Sequence, residues 1–186
     1  MLTEKFFNIS YGWEYEIGIS TDPDDLGGAT NDGITFSFFT AHAKEDLKME
    51  PTFDNFKNLP KEDIYKFYGA IWARLKLDTI TDPTVGYIVF DFALNSEFAV
   101  KEIQKLLQRY GAKLKDDNII GLITVASINS AIKEKTAKTV CTDILQIRED
   151  YVRHIATLPK QDKYLPGWLN RINDLRKLVV TTFPHS

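Results

Sequence analysis

Residues 16–35 read EIGISTDPDDLGGATNDGIT, and this stretch is the most informative part of the chain for both fold and chemistry. Between Gly18 and Gly33 it contains four glycines, one proline and four aspartates. These residue types break helices and favour tight turns. We therefore expect turns or a small irregular β-hairpin here.

An amphipathic helix is expected immediately before this stretch, from Thr3 to about Glu16. Its apolar residues recur at helical spacing, at Phe6, Ile9, Trp13 and Ile17. Glu14 lies off that stripe. Glu16 lies at its edge, so we expect its carboxylate to be partly desolvated, which raises the pKa of a carboxylic acid.

Helices are also expected over most of the remaining chain. Pro60, followed by two acidic residues, marks a helix start, and Asp82-Pro83 marks another, whose segment of one or two packed helices ends at Gly111. Further helical patterns cover 122–134, 136–157 and 167–182. The predicted fold is mainly α and lysozyme-like, with a small β-hairpin beside the first helix. A seam near 81–84 divides it into regions 1–84 and 85–186, which we expect to pack as one compact unit.

The composition excludes several classes of protein. The 186 residues are 44% hydrophobic and 26% charged, as in ordinary globular proteins, and no apolar run is long enough to span a membrane. The net charge of −3, with no basic stripe, argues against nucleic-acid binding. We expect a monomer that neither inserts into membranes nor binds nucleic acid.

The beginning of the sequence and its single cysteine give two further expectations. The first sixteen residues carry acidic side chains and lack the apolar core of a signal peptide. We therefore expect synthesis in the cytoplasm without a signal peptide. Cys141 has no partner for an intramolecular disulfide, and a buried, inert thiol is the favoured interpretation.

The acidic stretch contains the two carboxylates that glycoside hydrolysis requires. One acid stays protonated and donates to the leaving oxygen, while a second, ionised carboxylate acts on the other side of the bond. Glu16 is the candidate acid, with Glu14 as an alternative. Asp25 is the favoured second carboxylate, because the glycines after Leu26 let the backbone approach a ligand. Thr30 could position the attacking water.

Two alternatives to this chemistry rest on the same residues. The aspartates could simply be turn formers, with Glu16 an ordinary acid at a helix end. An acidic, glycine-rich loop could also suggest calcium, but this one lacks the alternating oxygen ligands and closing glutamate of the helix-loop-helix site. We expect no metal.

The stretch resembles a family of glycoside hydrolases, the bacterial and phage N-acetylmuramidases related to secretion-activator proteins. Its EGGY motif reads Glu16-Ile17-Gly18-Ile19 here, and its following DPxDPGGxTNxGIT reads Asp22–Thr35. The resemblance implies that Glu16 is the catalytic acid, that Asp25 and Thr30 assist it, and that Asn31 contributes to substrate binding. Ile17, Ile19 and Leu26 depart from the family pattern.

The second half resembles the helical peptidoglycan-binding region that accompanies this family, at 90–95, 107–108, 117–124 and 167–171. Asp91 and Asn95 lie one helical turn apart and are either a polar pair at the sugar groove or a buried pair joining helices. Tyr68, like Trp72, either stacks on sugar rings or belongs to the core. Asn118 replaces a family glycine, and Asn tolerates the left-handed backbone such a turn needs.

The resemblance implies an enzyme that cleaves the β-1,4 bond between N-acetylmuramic acid and N-acetylglucosamine in peptidoglycan, without a cofactor. Cell lysis is the expected role, in the manner of a phage endolysin, with action on the cell wall after release or dedicated export. Three alternatives stay open: a non-catalytic peptidoglycan-binding or secretion-associated protein, a lytic transglycosylase, and a chitinase.

Overall fold

The computed structural model describes residues 1–17 and 19–184, although the side chains of residues 15–17 lie outside the description. The chain divides into two compact units, Met1–Arg74 and Leu75–Ser186. Helices make up most of the described residues, and a small sheet follows the first helix. The prediction of a mainly α, lysozyme-like fold with a small hairpin is confirmed.

The described residues of the first unit form four α-helices: α1 (Glu4–Ile17), α2 (Phe36–Asp46), α3 (Phe53–Lys57) and α4 (Lys61–Arg74). The opening helix and the one after Pro60 were expected. Helices α2 and α3 were not, although each begins at a threonine cap. The side chain of Thr35 accepts a hydrogen bond from Phe38 N, and that of Thr52 accepts one from Asn55 N.

A three-stranded antiparallel sheet lies between α1 and α2 in the sequence. Its strands are β1 (Ile19–Ser20), β2 (Thr30–Asn31) and β3 (Ile34–Thr35), in that order. Strands β2 and β3 are joined by Asp32 and Gly33, with φ of +46° and +76°. A two-residue Asp-Gly connection with positive φ at both positions has the form of a type I′ hairpin turn. The loop before β2 holds the acidic residues.

The buried face of α1 differs from the predicted stripe. Phe6 is buried as expected, but Ile9 and Trp13 are only half-buried, whereas Ser10 and Glu14 are fully inside. The expectation that Glu14 lies off the buried face is therefore wrong. The inward face combines apolar with polar side chains, and hydrophobic periodicity cannot detect a buried polar residue.

The core of the first unit is aromatic. Rings from α2, α3 and α4 pack together at centroid distances of 5.5 Å between Phe39 and Phe56 and 6.0 Å between Phe39 and Phe67. All three are completely buried. Since α2 directly follows β3 and contacts it, this cluster supports β3.

In the second unit, the part of the chain that the structure describes, up to residue 184, forms five α-helices: α5 (Pro83–Asn95), α6 (Ala99–Arg109), α7 (Leu122–Lys135), α8 (Ala137–Ile155) and α9 (Leu165–Thr182). Their bounds lie close to the expected ones. Asp82 caps α5, because its Oδ1 accepts from Thr84 N at 2.8 Å and from Val85 N at 3.1 Å. Helix α8 packs against the other four.

The turn at Asn118 has the left-handed backbone that was expected at this position. Asn118 has φ of +64°, in the left-handed region. Its side chain holds the turn on both sides, since Oδ1 accepts from Lys101 N at 2.9 Å and Nδ2 donates to Glu97 O at 2.6 Å. An asparagine therefore serves here as both turn former and link to the start of α6.

Candidate functional site

The loop before β2 consists of two consecutive turns that share Asp25. Asp25 N donates to Asp22 O at 3.1 Å, and Gly28 N donates to Asp25 O at 3.0 Å. The Asp22 side chain reinforces the first turn by accepting from Asp24 N at 3.0 Å. Asp22 thus forms the turn, as the alternative interpretation of these aspartates supposed, and Asp25 lies at the junction.

Asp25 is half-buried and has one carboxylate oxygen fixed. Its Oδ1 accepts from Gly27 N at 2.8 Å. Within the described part of the chain, Oδ2 accepts no hydrogen bond. A Cβ at Gly27 would lie 3.2 Å from Oδ1, so a side chain at that position would crowd the carboxylate. The backbone thereby orients the carboxylate and leaves its second oxygen for a ligand.

Thr30 enters the sheet two residues after Gly28. Its Oγ1 donates to Gly28 O at 3.0 Å, and the side chain is half-buried. Because this bond uses the only hydroxyl hydrogen, the remaining lone pairs of Oγ1 can accept a hydrogen bond. Thr30 can therefore hold a water molecule by accepting one of its hydrogens.

Asn31 has a structural role in this unit. It is 6% exposed, and its Nδ2 donates to Phe56 O at 2.6 Å and to Lys57 O at 3.3 Å. The side-chain amide thus joins β2 to the end of α3. Both of these hydrogen bonds are donated by Nδ2, so the donors of the amide serve the fold, and the predicted part of Asn31 in substrate binding stays a prediction.

Tyr68 is a core residue, as its alternative interpretation proposed. Its ring is fully buried on α4 and packs edge-on against Phe7 at 5.6 Å between centroids. Its hydroxyl donates to Asp32 O at 2.8 Å. A ring with no exposed face cannot stack on a sugar, and the structure instead uses Tyr68 to hold the hairpin turn.

Two buried carboxyl groups lie at the Asp32–Gly33 turn, one in the turn itself and one on α1. Glu14 is 6% exposed and Asp32 is 8% exposed. Burial, and then the nearby charge of Glu14, raise the pKa of Asp32 above its ordinary value. Neither residue was selected as a binding or positioning group from the sequence. The sequence marks the turn, because Asp32-Gly33 is a hairpin dipeptide, but it does not mark Glu14 as buried.

Glu16 belongs to α1, one residue before the helix ends. Its side chain lies outside the described residues, so its assignment as the catalytic acid stays a prediction. Asp25 and Thr30 are brought into one loop and strand of the same unit, as expected.

Asp91 is buried at the centre of the second unit. Arg148 Nη1 donates to its Oδ2 at 2.6 Å, and Arg171 Nη2 donates to its Oδ1 at 2.7 Å. Burial alone would raise the pKa of Asp91, but the charges and hydrogen bonds of Arg171 and Arg148 outweigh it and hold the pKa well below the usual range. The carboxylate joins α5, α8 and α9.

The sugar-groove interpretation of Asp91 and Asn95 is therefore not supported by their contacts. Asp91 is completely buried, and Asn95 Nδ2 donates to Asp91 O at 2.9 Å within the same helix. The alternative, a buried polar group that joins helices, describes Asp91. The two arginines were missed because their partner is distant in the sequence.

Further candidate chemistry is limited in the residues described. Cys141 is fully buried, and burial, with a smaller contribution from Asp82, raises the pKa of its thiol to about 12. No cluster of three or more His, Cys, Asp or Glu side chains in residues 1–17 and 19–184 could hold a metal ion. Within those same ranges, every helix is too short or too polar to cross a membrane.

The chain is similar to known proteins in part of its sequence and in its fold. Residues 10–96 fit the model of a family described as Glycosyl hydrolase 108. This match supports the assignment of the chain as a glycoside hydrolase. The chain is also similar to the "Structure of Brucella abortus SagA", with a TM-score of 0.71, 22% identity and 96% of each chain covered. That likeness concerns the fold. No curated protein matches the chain significantly.

Proposed function

We propose that this chain is a peptidoglycan hydrolase, an N-acetylmuramidase that cleaves the β-1,4 bond between N-acetylmuramic acid and N-acetylglucosamine. The family match over residues 10–96 supports glycoside hydrolysis. The observation that carries the proposal is the Asp25 loop inside that stretch. It presents a half-buried carboxylate with one oxygen oriented by a backbone N–H, followed by Thr30 with lone pairs available.

The proposed reaction divides the work between two carboxyl groups. Glu16 donates a proton to the leaving oxygen of the glycosidic bond. Asp25, ionised, stabilises the positive charge that develops on the sugar or takes a proton from the attacking water. Thr30 orients that water by accepting its hydrogen bond. The residues do this without a cofactor.

Replacing Glu16 tests the assignment of the acid. Glu16→Gln should clear turbidity of outer-membrane-permeabilised cells at least about a hundredfold more slowly, because general acid catalysis contributes that much or more. Glu62→Gln is the matched control, since Glu62 is an exposed glutamate in the first turn of α4. Circular dichroism should show both variants folded. Full activity of Glu16→Gln would overturn the assignment.

A non-catalytic, peptidoglycan-binding protein is the second candidate. Ile19, where the related motif has tyrosine, is 43% exposed, so the aromatic ring of the motif is replaced by an aliphatic surface. Digesting purified peptidoglycan and counting new reducing ends separates this candidate from the hydrolase. A binding protein releases none.

Region 85–186, which lies within the second unit, Leu75–Ser186, is proposed to bind peptidoglycan. This assignment comes from the resemblance of its helices to the region that accompanies the muramidases. The full-length Glu16→Gln variant should therefore co-sediment with purified sacculi although it does not cleave them. We place the action of the protein at the cell wall, in lysis of the cell.

A further inference from the structure

The Asp32–Gly33 turn has a close contact with α1. A Cβ at Gly33 would lie 2.8 Å from both Cγ and Cδ of Glu14 and 3.0 Å from the hydroxyl oxygen of Tyr68. Cβ atoms do not come this close to other atoms without a shift of one of them. Glu14 therefore fills the space that any side chain at position 33 would need, and the backbone of the turn rests against it.

Three helices of the first unit hold this hairpin. Helix α3 holds it through the carbonyl groups of Phe56 and Lys57, which accept hydrogen bonds from Asn31 Nδ2. Helix α4 does so through the Tyr68 hydroxyl, which donates to Asp32 O at 2.8 Å. Helix α1 contributes Glu14, packed against Gly33. Of these three contacts, that of Glu14 comes from the helix that contains Glu16.

The position of this turn determines the position of Thr30. Strand β2 is Thr30–Asn31 and leads directly into the turn, so a shift of the turn moves both residues. Thr30 also pairs with Ser20 of β1, and β1 follows the end of α1. The turn and β1 thus link Thr30 to α1 from two sides.

We propose that Glu14 is a positioning residue, whose buried side chain fixes the Asp32–Gly33 turn, and with it Thr30, relative to helix α1. This proposal rests on the glycosidase function proposed above. Glu14 is buried and acts through the turn, so its loss should slow the chemical step and leave substrate binding nearly unchanged. Misplacing a catalytic group by about 1 Å can cost up to a hundredfold in rate.

The contact of Glu14 with Gly33 is made by its Cγ and Cδ atoms, which glutamine also has. Glu14 also lies near Asp32, and burial, followed by the Glu14 charge, raises the pKa of Asp32. Glutamine has the same length and shape as glutamate. Glu14→Gln should therefore hold the turn, whereas Glu14→Ala should not.

A double-mutant cycle in thermal unfolding tests the contact itself. Gly33→Ala introduces both a strained positive φ and the overlap with Glu14. Gly28→Ala is the matched control, because Gly28 has φ of +70° and nothing within 4 Å of an added Cβ. Gly33→Ala should lower the Tm more than Gly28→Ala does. The drop should be smaller in a Glu14→Ala background. An equal drop in both backgrounds would overturn the proposed contact.

Kinetics on purified peptidoglycan test the positioning role. We expect kcat of Glu14→Ala to fall about tenfold with KM within about twofold, and Glu14→Gln to recover at least about half of the wild-type kcat. Wild-type kcat in Glu14→Ala would overturn the role. Equal losses in both variants would overturn it too, because the rate would then depend on the charge or acidity of the carboxyl group and not on its packing.

The two tests separate failure of this proposal from failure of the proposed function. A folded wild-type protein that releases no reducing ends would refute the glycosidase function and, with it, any positioning role in that reaction. The unfolding cycle needs no activity. It would still show whether Glu14 packs against the turn.

Discussion

Asp91→Asn should destabilise the second unit strongly. The substitution keeps the shape of the side chain but removes the negative charge that Arg148 and Arg171 share, at 2.6 and 2.7 Å. Two guanidinium groups would then be buried beside a neutral amide. Removing one member of a buried ion-pair network typically costs about 3–5 kcal/mol. Domains are stable by about 5–15 kcal/mol, so this is a large share of the total.

Urea unfolding followed by far-ultraviolet circular dichroism measures this loss. Asp174→Asn is the matched control, since its ion pair with Lys177 at 2.7 Å is exposed and worth less than about 1 kcal/mol. Replacing all three charged residues by apolar ones of similar volume should recover much of the stability, because the unpaired charges are what cost free energy. A loss in Asp91→Asn below about 1 kcal/mol, or equal to that of the control, would refute this reasoning.

Three other results are expected. Burial and Glu14 raise the pKa of Asp32, so the native protein loses stability as pH rises from about 4 through that pKa. Asp32→Asn lacks this loss and should have a higher Tm than the wild type at pH 8, but not at pH 3. Asn31→Ala should lose about 1–3 kcal/mol in urea unfolding, since Phe56 O loses its donor. Cys141, with its thiol pKa raised to about 12, should react with a thiol reagent at pH 8 only as fast as the protein unfolds.

Each of these three has a result that would contradict it. A pH-independent Tm difference for Asp32→Asn would mean that the carboxyl group is not desolvated. An unchanged unfolding midpoint for Asn31→Ala would exclude its role as the link to α3. Rapid labelling of Cys141 under native conditions would contradict its burial.

The helices that the sequence predicts are those with apolar residues on one face and a clear start signal. Helix α5 is an example, with Asp82 as cap and Pro83 in the first turn. Helices α2 and α3 were not predicted, because aromatic residues such as Phe36 and Phe53 occur in strands as well and the caps are single threonines. The local sequence pattern does not determine whether such a segment forms a helix or a strand. The packing of its aromatic rings in the folded protein determines this.

The candidate site was predictable where residues are close in sequence. Asp25, Gly28 and Thr30 lie in one loop and strand, so a motif contains them. The contacts that hold them are distant in sequence: Glu14 meets Gly33, and Tyr68 meets Asp32. No periodicity reports such contacts, and a buried carboxyl group such as Glu14 looks the same in a sequence as an exposed one.

The most direct test of the account is the chemistry of the products. Purified peptidoglycan digested by the wild-type protein should yield muropeptides whose new ends are reducing N-acetylmuramic acid, seen by mass spectrometry after borohydride reduction. Each new end should carry the mass of one added water. Anhydro-muramyl ends would identify a lytic transglycosylase instead, and an undigested polymer would contradict the hydrolase altogether.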